Sequence, residues 1–369
     1  MNSTSRTNRR QFLAQSSLAT AAVSQAAAQS RSRDGVPLRI GCLNVHNYSH
    51  LLGLWGPMMN PREDKKEIAL TGMRITHCWD IEAEKSAEFA KMYRCQAVRN
   101  FDDMLGKVDG IISGGYFMHP WSHILHQPYL EAGLPNLINR PFSNSLAKAR
   151  KMIDAAKKHG ATILCPSAYE YTDATARARA WVAGKKIQCY AATNSFDEYP
   201  THGVHGLYMI HRVISDAGNP VISVSFRSKS WHEPPGVMTF EHRDKSGNPF
   251  FGTLHQINGA WGTLQIHTPD EYGGKQFEIQ PGTGFPFNQT ESWAPTIWAY
   301  ERMAQYREMP ETFDSLWEKT RVFMAGWKSV LEGGKPVGLE EVPEDWEAPV
   351  ELPARPGDPA VGLFKKMFG

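Results

Sequence analysis

A cation and an imidazole are the side chains of this 369-residue chain best suited to carry a reaction. Arg140 closes the run Glu131-Ala132-Gly133-Leu134-Pro135-Asn136-Leu137-Ile138-Asn139-Arg140-Pro141, which reads as a helix end, a glycine stop, a short apolar strand and a positive charge on a stiff turn. A guanidinium placed there orients and polarises an oxygen, but it does not give up its proton near neutrality. His205 opens an amphipathic stretch, His205–Ile214. Its imidazole titrates near neutrality and is the better proton carrier, the competing reading being a histidine satisfied inside the core. Three more imidazoles, His119, His123 and His126, fall at i, i+4 and i+7, the spacing of one helix face. Such a trio can bind zinc, with His46 or His50 completing the set, and would then suit a zinc-dependent hydrolase. No carboxylate or thiolate stands in ligand spacing with them, so a half-buried polar face explains them as well and no metal is expected.

The elements that must position these groups follow from hydrophobic periodicity. From Pro37, short apolar runs alternate with helical spacing, the pattern of a parallel sheet covered by helices. Strands are expected at Leu38–Val45, Met73–Trp79, Gly110–Ser113, Asn136–Asn139 and Ala161–Cys165, and helices at Ile81–Tyr93, Pro120–Glu131 and Ser145–His159. The last two helices are each followed by a glycine that tolerates a left-handed backbone. The fold class is α/β: a Rossmann-like doubly wound parallel sheet over residues 37–166, with Trp55-Gly56-Pro57-Met58-Met59-Asn60-Pro61 in an inserted loop. Beyond about Ser167 a helical stretch, Ala174–Val182, leads into strand-like runs at Lys186–Asn194, Val221–Ser228, Val237–Arg243, Phe251–Ile257, Trp261–His267 and Lys275–Gln280. Lys245-Ser246-Gly247-Asn248 makes a good hairpin connection. This predicts a second, α+β domain over 167–339 with an open, mostly antiparallel sheet. Ala294–Met309 and Phe313–Leu331 would cover or bridge the domains, and a C-terminal tail, 340–369, would begin as an extended strap.

Thr7-Asn8-Arg9-Arg10-Gln11-Phe12-Leu13, followed by an Ala/Ser-rich apolar run, reads as a twin-arginine signal peptide over residues 1–28. That route carries folded proteins, so a periplasmic or secreted location is expected, with any cofactor loaded beforehand. Removing the segment subtracts Arg6, Arg9 and Arg10 and no acid, which turns the formal charge from +2 to −1. With no basic field and no long apolar run, neither nucleic acid nor a membrane span is expected in the mature chain. The five cysteines are odd in number and widely spaced, and they read as buried thiols rather than a disulfide framework.

In a doubly wound sheet the ligand sits beyond the carboxyl ends of the strands, near the point where strand order reverses. There the chain reads Gly41-Cys42-Leu43-Asn44-Val45-His46-Asn47-Tyr48-Ser49-His50, with Asn, His and Ser where a dinucleotide fingerprint would have its glycines. Taken alone, this loop argues against a standard nicotinamide site. Asn44 can still adopt a left-handed turn, and Asn44 and His46 can donate hydrogen bonds, so a cofactor contact through Gly41, Asn44 and His46 stays open. Asp80, ending the second strand, is placed to accept from ribose hydroxyls and would serve equally as the N-cap of Ile81–Tyr93. His119, His123, Tyr169 with Glu170, and Asn194 with Asp197 lie where substrate hydroxyls would be met, or are ordinary loop residues. Trp121, Trp231 and Trp261 could stack on a sugar ring, although core packing is the commoner fate of tryptophan.

The Gly133 to Pro141 run, with glycine eight residues before the proline, closely resembles the Gfo/Idh/MocA oxidoreductases. Their Ala-Gly-Lys-His-Val and Glu-Lys-Pro motifs appear here as Ala132-Gly133-Leu134-Pro135-Asn136 and Asn139-Arg140-Pro141. Asp80, Gly203-Val204-His205 and Gly333-Gly334-Lys335-Pro336-Val337 extend the resemblance along nearly the whole chain beyond the leader. The resemblance implies that Arg140 stands for the lysine contacting cofactor and substrate, that His205 moves the substrate proton, and that Thr201 replaces an aspartate. It also implies a tightly bound NAD or NADP, hydride transfer at a sugar or cyclitol hydroxyl, and a homo-oligomer through the second sheet, whose outer face should be too apolar to leave wet. Thr201 cannot raise the basicity of His205 as an aspartate would. Family members that use bound cofactor transiently for glycoside cleavage make a glycosidase or lyase a variant. Loss of the fingerprint glycines, the lysine and the aspartate makes a non-catalytic carbohydrate- or partner-binding protein the rival.

Overall fold

Six short parallel strands build the first sheet of the computed structural model, which describes residues 35–45, 49–115, 118–195, 198–231, 233–257, 262–279, 293–349 and 359–369. The leader-like segment 1–28, His46, Asp197 and Trp261 lie outside the described residues. The strands are β1 Leu38–Leu43, β2 Met73–Trp79, β3 Gln96–Ala97, β4 Gly110–Ser113, β5 Pro135–Ile138 and β6 Thr162–Leu164. Their spatial order is β3-β2-β1-β4-β5-β6, so the order reverses between β1 and β4. Strands buried on both faces read as continuous apolar runs, as Gly110-Ile111-Ile112-Ser113 does.

The helices α1 Trp55–Met59, α2 Ala83–Tyr93, α3 Ser122–Leu125, α4 Gln127–Glu131 and α5 Leu146–His159 cover this sheet. The inserted stretch after β1 is thus partly helical, with every residue of α1 buried. Gly133 and Gly160 follow α4 and α5 with φ of 71° and 67°, the left-handed stops their positions call for. The single helix expected at Pro120–Glu131 is instead broken at His126. Pro128 explains it, because it has no N–H to give Ile124 and its ring crowds that carbonyl.

The second sheet contains β7 Cys189–Ser195, β8 Val221–Ser230, β9 Glu233–Arg243, β10 Pro249–Ile257, β11 Gly262–Thr268, β12 Glu271–Ile279 and β13 Val337–Gly338, in the order β12-β11-β7-β10-β9-β8-β13. Only β7 and β10 pair in parallel; their other neighbours pair antiparallel. The turn at Lys245–Asn248 joins β9 to β10, with Gly247 at φ 82° and the Asp244 carboxylate accepting from the Ser246 and Asn248 amides. One face is covered by α6 Asp173–Val182, α7 Val204–Ile210 and the C-terminal α9 Phe313–Leu331, while α8 Ala294–Tyr306 crosses back to the first sheet. The Tyr300 hydroxyl of α8 donates towards the carbonyls of Ile111 and Pro135, 3.0 and 3.2 Å away.

Two expectations need correction. The outer face of the second sheet is not a continuous apolar surface: exposed Val237 and Phe251 alternate with Thr193, Thr239, Thr253, His255 and Gln265. Cys189 is exposed on that face, although all five cysteines are free thiols. The tail also ends in a helix, α10 Pro359–Phe368. Phe364 of α10 is fully buried, stacked 5.2 Å from Trp121 and edge-on to Trp79 at 6.1 Å. Trp121 is therefore committed to packing, and Trp231 likewise lies 5.4 Å from Trp327. Phe364→Ala is expected to cost about 3–5 kcal/mol of docking free energy. Hydrogen exchange should then show α10 unprotected while the sheet keeps its protection.

Candidate functional site

Arg140, just after β5 of the first sheet, and His205, on α7 against the second, meet. β5 delivers Asn139 to the end of β4, where its side-chain amide donates to the Gly114 carbonyl at 2.8 Å, and its Oδ1 accepts the Arg140 N–H at 3.1 Å. This turns the Arg140 side chain away from the sheet into a site where only 2% of the residue is exposed. Its Nη2 lies 3.0 Å from Nε2 of His205, in the first turn of α7. On the other ring edge, Nδ1 of His205 lies 2.7 Å from the Ser167 hydroxyl, and the Tyr169 ring stacks on the imidazole at 5.2 Å and 28°.

These contacts fix the protonation of His205. Burial, then the charge of Arg140, then His202, hold its pKa well below the ordinary histidine value. A guanidinium only donates, so Nε2 must present its lone pair to Arg140, and the ring proton sits on Nδ1 and is given to Ser167 Oγ. A neutral imidazole with its basic nitrogen against a cation is a proton acceptor held in check.

Sequence reasoning missed part of this surround. His50 is buried between Trp55 and Trp293, with ring centroids 4.7 and 4.4 Å away. Its backbone N–H donates to the Gly114 carbonyl at 3.1 Å, the acceptor that Asn139 also uses, which places it beside the Arg140 turn, and burial, followed by Arg140, His205 and His202, pushes its pKa well down. From the sequence it stands out only as a candidate zinc ligand. His202 pairs with the Thr201 hydroxyl at 2.9 Å and with the Glu198 carboxylate at 3.4 Å, so a negative charge does enter this turn, from Glu198. The i, i+4 spacing of Glu198 and His202 was the available signal.

The other predicted residues scatter. Thr201 is buried and pairs with His202 rather than with His205. The Asn194 amide nitrogen is used inside the protein, donating to the carbonyls of His202 and Gly203 and to Gln256, so it supports the turn below His205 instead of facing a substrate. His126 is fully buried on Asn136, His119 sits before α3 with its ring 6.1 Å from Trp327, and His123 is half-buried on α3. The three share no single face, and among the described residues no group of three or more His, Cys, Asp or Glu can hold a metal ion.

Around the end of β1, Asn44 takes φ 57° and is fully buried. Neither polar atom of its side chain has a hydrogen-bond partner among the described residues. Gly41 lies mid-strand, where a Cβ would come within 2.8 Å of Ile111 and 2.9 Å of Met104, so its lack of a side chain serves packing rather than a ligand. Asp80 accepts from the Val45 and Glu82 amides at 2.7 and 3.1 Å. It makes a local turn rather than an N-cap, since α2 begins after Glu82. Asp80 also lines a cleft of about 690 Å³ with Trp79, Ile81, Arg99, Phe101 and Met367 of α10.

No protein-family model and no curated protein matches this sequence. Solved structures do. The myo-inositol dehydrogenase from Lactobacillus casei, in complex with NAD(H) and myo-inositol, is 11% identical, with a TM-score of 0.66 over 82% of this chain and 96% of that one. An oxidoreductase from Agrobacterium radiobacter in complex with NAD+, L-tartaric acid and magnesium is 11% identical, with a TM-score of 0.61 over 82% and 98%. The scyllo-inositol dehydrogenase from Lactobacillus casei gives 11%, 0.62, and 82% and 98%. With the parallel sheet and its partly antiparallel companion in this order, the chain has the fold of the Gfo/Idh/MocA-type dehydrogenases.

Proposed function

We propose that this chain is an exported oxidoreductase that transfers hydride between a tightly held nicotinamide cofactor and a hydroxyl-bearing carbon of a sugar or cyclitol. The observation that carries the reading is the contact between Arg140 and His205 at the end of β5, beside the reversal of strand order. Similarity in fold to dehydrogenases crystallised with NAD supports it.

The surrounding residues suit a dinucleotide. The Asn44 amide, buried and without a partner among the described residues, can donate to a phosphate or to the carboxamide, and Asp80 beside the cleft can accept from ribose hydroxyls. Gly114 and Gly115 carry the backbone tightly past Ser49 and Asn44, with no room for a Cβ. When bound, the nicotinamide supplies the hydride acceptor or donor. Arg140 would hold the substrate oxygen, and that oxygen would take the place of the guanidinium at Nε2 of His205. The imidazole, relieved of the adjacent donor, would then receive the hydroxyl proton. Ser167 would keep the ring oriented throughout.

Export in the folded state supports a cofactor that travels with the protein and is regenerated in each cycle, which suits paired oxidation and reduction or transient oxidation during glycoside cleavage. The rival, a binding protein without redox turnover, is favoured by one observation: the Val45 amide at the fingerprint loop is already taken by Asp80. Mild denaturation of the native protein separates the two. Mass spectrometry should find NAD or NADP near one per chain, and its absence after purification from the native host would overturn the redox reading.

A further inference from the structure

Behind the site lies a buried ion network that the proposed chemistry does not use. Lys319 of α9 has a fully buried side chain, as do Glu170 and Glu311 to within 1% and 3%. Its ammonium reaches Glu311 at 2.8 Å, Glu170 Oε1 at 3.0 Å and the Cys165 carbonyl at 3.1 Å, and stands 4.4 Å from the centre of the Tyr208 ring. All three donors of the lysine are thereby satisfied. Taking three charges out of water is costly, and apolar packing would serve stability as well. A network of this kind therefore calls for a role besides holding the fold together.

Its geometry supplies one. The second carboxylate oxygen of Glu170, Oε2, accepts the Ser167 N–H at 2.6 Å, and Ser167 Oγ accepts the Tyr169 N–H at 3.1 Å while lying 2.7 Å from Nδ1 of His205. Nε2 of His205 then meets Arg140 at 3.0 Å. An unbroken polar line runs from α9 through Lys319, Glu170, Ser167 and His205 to Arg140. The tight turn over Ala168–Tyr171, capped reciprocally by Ser167 and Glu170, is its pivot. Without the ion pair nothing else among these contacts holds Glu170 at the Ser167 amide. The turn that carries Ser167 Oγ to Nδ1 would then loosen, and with it the orientation in which the imidazole presents its Nε2 lone pair to Arg140.

We infer that Glu170 and Lys319 are positioning residues that hold the His205 ring in the orientation that faces Nε2 to Arg140, with Ser167 as the connecting group. Neither touches substrate. The inference rests on the reading of His205 as the proton carrier, and its test is chosen to be read without turnover.

The experiment uses the full chain labelled with 15N-histidine, comparing wild type, Glu170→Gln and Ser167→Ala by NMR of the imidazole nitrogens. Glu170→Gln keeps shape and one acceptor; Ser167→Ala leaves the ion network whole and covers the case that the first variant fails to fold. Wild type should show His205 with a protonated, hydrogen-bonded Nδ1 and an unprotonated Nε2, and each variant an Nδ1 signal shifted or broadened by loss of the bond to Ser167 Oγ. Should the protein turn over a polyol, kcat in both variants should fall by at least about tenfold with KM nearly unchanged. An unaltered His205 signature in Ser167→Ala overturns the inference, as does a signature in Glu170→Gln that matches wild type. Absence of cofactor and of turnover would sink the hydride-transfer reading and leave the NMR result to decide this one.

Discussion

His205→Gln is expected to lower turnover by about 10²–10⁴-fold, the range that a positioned general acid or base contributes. Glutamine keeps an oxygen that can accept from Arg140, so the contact to this 2% exposed guanidinium survives. What is lost is the titratable nitrogen that lies 3.0 Å from Nη2. The cofactor should stay bound in the variant, because the groups proposed to hold it, Asn44 and Asp80, are on other loops. KM should change little and kcat should carry the effect, which steady-state kinetics on any accepted polyol will read. A comparable kcat in the variant would mean that His205 is a core histidine and that the proton leaves by another route.

The second large effect is acid lability. Burial is the leading cause that drives five deeply buried histidines below the ordinary range: His126 and His242 to about 4, His211 to about 3, and His50 and His205 well down. Their folded pKa values lie below the unfolded value near 6.5, so as pH falls the unfolded chain gains protons that the folded chain refuses. The stability these neutral rings confer is intact above about pH 6.5 and is lost as pH drops towards 4. Each histidine contributes a slope of about 1.4 kcal/mol per pH unit in that window. Two of them over two units would already remove more than 5 kcal/mol, comparable with the whole stability of an ordinary domain at about 5–15 kcal/mol. Glu170, lifted to about 7 by burial, and Glu318, also raised, act in the opposite sense, since protonating them as pH falls relieves the folded state. Two carboxyls do not offset five imidazoles. Urea midpoints measured from pH 7.5 to 5 should fall steadily below pH 6.5, and a flat profile would show that these rings take up protons in the native state.

Much of the architecture was legible because it depends on local rules. Apolar runs gave Met73–Trp79 and Gly110–Ser113 their observed bounds, and Gly133 and Gly160 marked helix ends through their backbone freedom. The two-residue strands β3 and β13 were missed, because two residues carry no periodicity. The histidine trio misled because Pro128 outweighed the i, i+4, i+7 spacing. Arg140 and His205 stood out by type and position, but the contacts that set their state come from residues distant in the chain. Ser167 lies 38 residues from His205, and Lys319 lies 149 from Glu170. No local pattern reports such a pairing; only the packing of α9 behind the turn at Ala168–Tyr171 brings it about. The burial of Phe364 was hidden for the same reason, since a short apolar helix after a proline-rich stretch gives no sign of the surface that receives it.

The most direct test mixes the protein, as isolated with its own nucleotide, with a panel of cyclitols and sugars and follows the near-ultraviolet band of reduced nicotinamide. At least one polyol should make the band rise in wild type within a single turnover, and the same polyol should leave His205→Gln nearly silent with its nucleotide still bound. A band that rises equally in both, or a wild-type protein that carries no nucleotide at all, would contradict the account.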